Sequence, residues 1–249
     1  MSDRLASVRA YYDGLAPRLR AVEDQSWHLQ SRMTLVLETI DGLARPGGAV
    51  LDVGCGTGYL LERLAERGFR GVGIDLSPES IAIAEKRLAA RGAGERLRAR
   101  VGSAYDPPEG EFDVIALTDV LEHLEEPRAA LRALRERLAP GGLLVVSTPN
   151  RRSLPGARRW LAERGVPGLH LSLAPVDRWQ TWVDLESHGA AAGLVPVSRR
   201  GIFFRPGGRV GSQLGRLYRS PAARRAEVAL SRTPLGRFGF YVCLGFRAV

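Results

Sequence analysis

The feature that most constrains the fold of this chain is an apolar run that leads into three glycines at alternate positions. The run covers residues 50–53, and the glycines are Gly54, Gly56 and Gly58. Valine and leucine predominate in the run, which is typical of a buried strand. From Tyr59 onwards apolar residues recur at helical spacing, which predicts a helix. The glycines therefore lie in a turn that joins a strand to a helix.

Such a turn is suited to holding a ligand against the backbone. Glycine has no Cβ atom, so the turn can adopt positive φ values and approach a ligand closely. The helix that follows offers unpaired N–H groups to an anionic part of the ligand. A dinucleotide-binding turn places its third glycine one residue later than this chain does. Asp52 precedes the first glycine, and a carboxylate there suits a ligand that carries positive charge.

The stretch from Asp52 to Gly58 resembles the first motif of class I methyltransferases that use S-adenosylmethionine. In that family the glycine turn holds the amino-acid end of the cofactor. The resemblance implies S-adenosylmethionine as the cofactor and S-adenosylhomocysteine as the product. It also implies that several residues of the stretch contact the cofactor, namely Asp52, Gly54, Cys55, Gly56 and Gly58.

Further cofactor contacts are expected after the next three strands. Asp75 ends the second strand about 20 residues beyond the turn, where nucleotide-binding folds place a carboxylate on the ribose hydroxyls. A carboxylate can accept two hydrogen bonds from a vicinal diol. Leu76 is expected against the adenine face. The resemblance adds Ser103, as an acceptor for the adenine amino group in place of the more common Asp, together with Ala104 and Thr118.

Strand-like and helix-like stretches alternate between residues 50 and 150, which predicts a parallel sheet. The resemblance extends this to an α/β, doubly wound, Rossmann-like sheet of seven strands, mostly parallel, with the last strand antiparallel. Pro140–Gly142 predicts a turn before the fifth strand. A helix is expected over 179–192.

The domain organisation follows from the same pattern. A helical cap over residues 1–45 is expected to precede a methyltransferase core over 46–249. Within the core we expect a substrate-side segment over 151–178 and an insertion before the last strand over 205–237. Connections of that length are usually functional or mobile. The insertion contains an amphipathic stretch near 210–218.

Histidines are the candidate catalytic bases, because a hydroxyl acceptor must lose a proton and imidazole has a pKa near neutrality. The chain has four of them, His28, His123, His170 and His188. His123 follows the fourth strand at the ligand edge of the sheet, and it is the first candidate. His170, in the substrate-side segment, is the second. His188 lies beside a glycine on a predicted helix and is expected to be exposed.

A metal site is the alternative to a simple base. Some quinone-biosynthesis O-methyltransferases resemble this chain in having an acidic residue followed by Glu-His after the fourth strand. Here the set is Asp119, Glu122 and His123. Two carboxylates and an imidazole could bind a divalent ion such as Mg²⁺ or Zn²⁺ and lower the pKa of a phenol. The same residues occur in relatives without a metal, and a metal-free site is the prediction adopted here.

Composition limits the other function classes. The formal net charge is +9, but no basic motif is interleaved with aromatic residues, so nucleic-acid binding is not predicted. No apolar run approaches the roughly 20 residues that span a bilayer. Peripheral membrane contact through the 205–237 insertion remains open. Cys55 and Cys243 are expected as free thiols, and the first residues lack a secretion signal, so a cytoplasmic location is expected.

The resemblance implies transfer of a methyl group to a small-molecule acceptor. The acceptor atom is expected to be a hydroxyl oxygen, as in quinone or secondary-metabolite biosynthesis. Methylation of an amine, a carboxylate or a sugar on the same fold is an alternative, and so is a non-catalytic cofactor-binding subunit. A nicotinamide-dependent dehydrogenase is disfavoured by the glycine spacing. The oligomeric state is not predicted.

Overall fold

The chain forms one seven-stranded sheet with helices on both faces. The computed structural model describes residues 3–23, 26–167, 177–202 and 221–249. The strands are β1 (Ala49–Val53), β2 (Arg70–Asp75), β3 (Leu97–Val101), β4 (Phe112–Thr118), β5 (Leu138–Pro149), β6 (Leu194–Ile202) and β7 (Tyr241–Ala248). Their order across the sheet is β3-β2-β1-β4-β5-β7-β6. The pairs from β3 to β5 are parallel, and β7 is antiparallel to both β5 and β6. The predicted sheet is confirmed.

In the described part of the chain, helices precede the first strand and connect later strands. The α-helices are α1 (Asp3–Val22), α2 (Trp27–Leu43), α3 (Tyr59–Ala65), α4 (Pro78–Ala90), α5 (Pro127–Arg135), α6 (Leu154–Glu163), α7 (Trp182–Ala191) and α8 (Pro221–Ser231). Short 3₁₀-helices cover Leu121–His123 and Pro234–Phe238. The predicted helix over 179–192 thus begins three residues later than expected.

Each central strand is buried on both faces, as a parallel sheet between two helical layers requires. In β1, Val50 belongs to the core formed with α2, α3 and α4, whereas Leu51 and Val53 belong to the core formed with α5 and α7. β4 divides in the same way, with Val114 on the first side and Ile115 on the second. The alternation follows from the two-residue period of a strand.

The start of β5 differs from the prediction. Pro140–Gly142 lies inside the strand rather than in a turn before it. Phe112 pairs with Leu138 and Val114 with Leu143, so β5 carries a bulge between these two pairs. Gly141 lies in this bulge with a φ of 74°. The positive φ explains the glycine, because few other residues adopt that conformation without strain.

Two helices, α1 and α2, precede the first strand and cover most of the residues for which a helical cap is predicted. Val8, Tyr12 and Leu15 of α1 face a cavity at the sheet edge, while Val36 and Ile40 of α2 are fully buried. No helix in the described ranges is long and apolar enough to cross a membrane.

Only the second half of the predicted insertion is described. The amphipathic stretch near 210–218 lies outside the described residues. The described part contains α8 and the 3₁₀-helix Pro234–Phe238, neither of which the sequence analysis identified.

Candidate active site

A cavity of about 470 Å³ opens at the carboxyl ends of β1, β2 and β4. This is the edge at which open α/β sheets bind their ligands. Residues of the first two helices also line it. Most of the residues predicted to bind a cofactor line it, namely Gly54, Cys55, Gly56, Asp75, Leu76, Ser103, Ala104 and Thr118.

The three glycines of the turn all have positive φ values, between 51° and 78°, but they are needed for different reasons. A Cβ atom on Gly54 would lie 2.3 Å from Val120 Cγ2, and one on Gly58 would lie 3.0 Å from the Ala84 Cβ. These two glycines permit close packing. A Cβ atom on Gly56 would meet nothing within 4 Å. Gly56 is therefore the position where the backbone borders open space and a ligand can approach it.

Asp75 ties the end of β2 to the glycine turn. Its Oδ2 atom accepts a hydrogen bond from the Gly56 N–H at 2.9 Å, and Oδ1 accepts one from the Ser77 N–H at 2.8 Å. Burial raises the pKa of the Asp75 carboxyl, and these two hydrogen bonds oppose the rise. Each carboxylate oxygen has two lone pairs, so both oxygens keep acceptor capacity for a ligand. The Ser103 hydroxyl already accepts a hydrogen bond from the Tyr105 N–H at 3.2 Å.

Asp52 and Gly58 do not line the cavity, although the sequence predicts that both contact the cofactor. Asp52 is fully buried in β1, and neither of its carboxylate oxygens has a hydrogen-bond partner among the residues that the structure describes. Burial, and then the negative charge of Asp75, raise the pKa of the Asp52 carboxyl well above its ordinary value. A buried carboxylate with no partner is unfavourable, so a nearby cation would stabilise it.

We expect Asp52→Asn to raise the free energy of unfolding by about 1–3 kcal/mol at about pH 8, because it removes an unpaired buried charge. A raised carboxyl pKa in the folded state destabilises the fold above the unfolded pKa of about 3.9. The difference in the free energy of unfolding between variant and wild type should therefore increase as the pH rises above about 4, and it should be small at lower pH. Urea unfolding at several pH values measures this. An asparagine variant that is less stable than wild type at every pH would contradict the prediction.

His123 lies on the cavity wall in the 3₁₀-helix that follows β4. Its Nε2 atom is 2.7 Å from the Tyr12 hydroxyl of α1, and the two rings meet edge to face with centroids 5.5 Å apart. The neighbouring Glu122 is fully buried, and burial raises the pKa of its carboxyl, while His123 and a hydrogen bond from the Thr148 hydroxyl oppose the rise. The first candidate base is thus held between the cap and the sheet.

The alternative metal set does not form a ligand cluster. Asp119 pairs with the guanidinium of Arg32 from α2, and His123 bonds Tyr12. No group of three or more metal-ligating side chains occurs in the part of the chain that the structure describes. Asp119 has a φ of 57°, a left-handed conformation that aspartate tolerates better than most residues.

Of the remaining three histidines, only His188 has a described side chain. His170 lies outside the described residues, and the side chain of His28 is not described. His188 is half-buried rather than exposed, with Nε2 at 3.3 Å from Gln180 Oε1, and burial lowers its pKa. It does not line the cavity.

Sequence reasoning missed four residues that contribute to this site. Arg32 and Tyr241 line the cavity beside Asp119, with the guanidinium carbon of Arg32 at 5.5 Å from the Tyr241 ring centroid. Glu23 accepts a hydrogen bond from the hydroxyl of Thr57 in the glycine turn, and Trp179 forms part of the wall. None of them belongs to a motif, and only the fold places them at the sheet edge.

Comparisons with known proteins agree with this architecture. A family profile described as "Methyltransferase domain" matches residues 27–192. The ubiquinone biosynthesis O-methyltransferase of Cereibacter sphaeroides ATCC 17025 is 38% identical over 174 residues, which cover 64% of this chain and 65% of that protein. The chain thus spans slightly less than two thirds of that relative. The enzyme of the same name from Idiomarina loihiensis is 30% identical over 192 residues, 70% of this chain and 72% of that protein.

Solved structures share the fold at low sequence identity. Magnesium protoporphyrin IX methyltransferase from Synechocystis PCC 6803, with bound SAH, superposes with a TM-score of 0.67 at 19% identity, covering 97% of this chain and 98% of that one. The cyclase SpnF superposes with a TM-score of 0.69 at 21% identity, covering 97% and 95%. Because the family profile matches about two thirds of its residues, this chain belongs to the methyltransferase domain family and has the class I methyltransferase fold.

Proposed function

We propose that the chain is an S-adenosylmethionine-dependent methyltransferase that acts on a hydroxyl group of a small-molecule acceptor. The observation that carries the proposal is one cavity that joins the glycine turn and Asp75 to the imidazole of His123. The names of the relatives support the same reaction class. The fold alone does not support a particular reaction, because a cyclase has a similar fold.

The residues present fit the proposed cofactor. Asp75 has acceptor capacity for a ribose diol, and Gly56 borders open space next to it. Arg32 supplies a cation on the wall for the carboxylate of the amino-acid end. The buried, unpaired carboxylate of Asp52 lies behind the turn, where a positive ligand would stabilise it. Bound S-adenosylmethionine supplies a methyl group on a positively charged sulfur.

The residues of the chain then have separate tasks. Asp75 and the glycine turn hold the cofactor in the cavity. His123 lines the same cavity and takes the proton that the acceptor hydroxyl loses. A base of this kind contributes about 100- to 10,000-fold to a rate. Apolar side chains from α1 and α2, including Leu15, Leu29 and Met33, exclude water and suit an acceptor with an apolar body.

Calorimetric titration tests the cofactor. We expect S-adenosylhomocysteine to bind and NAD not to bind. Asp75→Ala should weaken S-adenosylhomocysteine binding at least about 10-fold, because a charged hydrogen bond to the ligand contributes about 1.5–3 kcal/mol. The matched control is Glu109→Ala, since Glu109 is an exposed acid outside the cavity. Binding of NAD in preference to S-adenosylhomocysteine would reject the proposal.

Product analysis tests the acceptor atom. The protein is mixed with labelled S-adenosylmethionine and one of four probes, and the product is identified by mass spectrometry. Catechol tests for methylation of a hydroxyl oxygen, benzylamine for methylation of nitrogen, benzoate for methylation of a carboxylate, and a monosaccharide for methylation of a sugar. We expect methyl transfer to catechol. A protein that binds the cofactor and methylates only an amine, a carboxylate or a sugar would reject the hydroxyl assignment, and one that methylates none of the probes would favour a cofactor-binding subunit.

A further inference from the structure

A second cavity, of about 380 Å³, lies next to the candidate active site. It is lined mainly by side chains of α6 and by the segment over residues 177–180. Asp177 and Trp179 line both this cavity and the one that contains His123. Because these two residues border both spaces, they form a partition between the two cavities.

The backbone holds Trp179 beside the candidate base. The N–H of the preceding residue donates a hydrogen bond to the Glu122 carbonyl oxygen at 2.9 Å, and Glu122 is the neighbour of His123 in the 3₁₀-helix after β4. The N–H of the following residue, Gln180, donates to the Pro149 carbonyl oxygen at the end of β5 at 3.3 Å. Trp179 is therefore anchored on both sides and close to the group that the acceptor must reach.

Arg159 of α6 supports the partition from the side of the second cavity. Its side chain is 11% exposed, and its guanidinium donates to the Asp177 carboxylate and, at 2.7 Å, to the Asp177 carbonyl oxygen. The guanidinium carbon also lies 5.1 Å from the Trp179 ring centroid, and the ring of Phe240 is 5.4 Å from the same indole. Cation–π and aromatic contacts of this kind favour one orientation of the ring. They therefore oppose rotation of Trp179 out of the partition.

The volumes explain why this partition matters for the acceptor. A single drug-sized ligand occupies a pocket of about 300–1,000 Å³. The first cavity, at about 470 Å³, has to hold both the proposed cofactor and the reacting part of the acceptor. An acceptor that is longer on the side of Trp179 therefore needs further room. The second cavity would offer about 380 Å³ more, but the partition separates it from the first.

We infer that Trp179 determines the size of the acceptor, because its indole closes the first cavity beside His123 and excludes an acceptor whose body extends past it. The inference rests on the proposed function and specifies the shape of its substrate. The site takes a compact acceptor, and the second cavity stays out of reach of that acceptor in the wild-type protein. Removal of the indole joins the two cavities and admits a longer one.

The test compares two probes that share the reacting group and differ in length, catechol and 4-phenylcatechol. Wild type should have a kcat/KM at least about 10-fold higher for catechol. Trp179→Ala should raise the ratio of kcat/KM for 4-phenylcatechol to that for catechol at least about 10-fold, a factor typical of one group gained in an apolar pocket. Trp179→Phe keeps a smaller ring and should raise the ratio at least about 3-fold. Calorimetry on protein saturated with S-adenosylhomocysteine should give the same order for binding of the two probes.

Trp160→Ala is the matched control. Trp160 lines the second cavity but not the first, and it is 46% exposed, so its removal should leave the ratio within about 2-fold of wild type. An increase in Trp160→Ala as large as that in Trp179→Ala would overturn the inference, because the longer probe would then already reach the second cavity. A wild-type protein that uses both probes equally well would overturn it too.

Binding of S-adenosylhomocysteine separates this inference from the proposed function. If Trp179→Ala does not bind it, Trp179→Phe decides the test, and loss of binding in both variants would place Trp179 in the cofactor site and reject the inference. An unchanged ratio in variants that bind S-adenosylhomocysteine would also reject the inference, but it would leave the proposed function intact. If wild type binds neither S-adenosylhomocysteine nor either probe, both fail together.

Discussion

Replacement of His123 by alanine is expected to lower kcat for catechol methylation at least about 100-fold, because the acceptor hydroxyl loses its proton-accepting group. The affinity for S-adenosylhomocysteine should stay within about 2-fold of wild type. His123 is hydrogen-bonded to Tyr12, whereas the turn is held by the hydrogen bond between Gly56 and Asp75. Steady-state kinetics and calorimetry on the same preparations measure the two quantities.

The control for this variant is His188→Ala. His188 is half-buried and 3.3 Å from Gln180, and it does not line the cavity. The His188→Ala substitution should change kcat by less than about 2-fold, since His188 lies outside the lining of the cavity. Unchanged kcat in His123→Ala would remove the imidazole from the mechanism. A parallel loss of cofactor affinity would mean that His123 supports the binding site and not the chemistry.

Local sequence signals predict most of the strands and helices of the sheet correctly. Ser77 caps α4 and Pro78 is its first residue, so the start of this helix follows from two local signals in the sequence. The predicted start of α7 is wrong because the prediction includes Trp179 in the helix. Thr181 and Asp184 form a capping box, a signal present in the sequence that sets the true start at Trp182. The fifth strand is present as predicted after Gly142, and only its start is wrong, because proline and two glycines usually end a strand and here they lie in a bulge.

The site itself was predictable only in part, because its polar pairs are distant in sequence. The turn and Asp75 belong to one strand–helix–strand unit, so their proximity follows from local order. Tyr12 and His123 are 111 residues apart, and Arg32 and Asp119 are 87 apart. The spacing of apolar residues along the sequence does not indicate which distant polar side chains come into contact. The sequence likewise could not show that Asp52 lies behind the wall, since burial depends on how the sheet and helices close around β1.

One such long-range pair also stabilises the fold. Arg87 of α4 is almost fully buried, and its guanidinium lies 2.8 Å from Glu23 and 3.0 Å from Glu62. It also donates to the Thr57 carbonyl oxygen in the glycine turn at 3.1 Å. Both carboxylate side chains are less than 10% exposed. The arginine therefore joins the end of α1, the turn, α3 and α4 through charges that are largely buried.

We expect Arg87→Met to lower the free energy of unfolding by about 3–5 kcal/mol, because it leaves the buried carboxylate of Glu23 without this cation and that of Glu62 with only the exposed Arg91. Arg91→Met is the matched control. Arg91 contacts the same Glu62 at 2.7 Å, but its side chain is 61% exposed, and exposed ion pairs contribute about 0–1 kcal/mol. Urea unfolding measures both variants.

A second change separates lost charge pairing from lost packing. In the Arg87→Met background, Glu23→Gln removes the buried negative charge that has lost Arg87 and keeps the shape of the side chain, so it should recover at least about 1 kcal/mol of stability. Loss of packing alone would leave the double variant no more stable than Arg87→Met. A cost for Arg87→Met no larger than that of Arg91→Met would show that the buried pair does not hold α1 and the turn together. Cofactor affinity should fall with stability in Arg87→Met and stay unchanged in Arg91→Met, since only Arg87 reaches the turn.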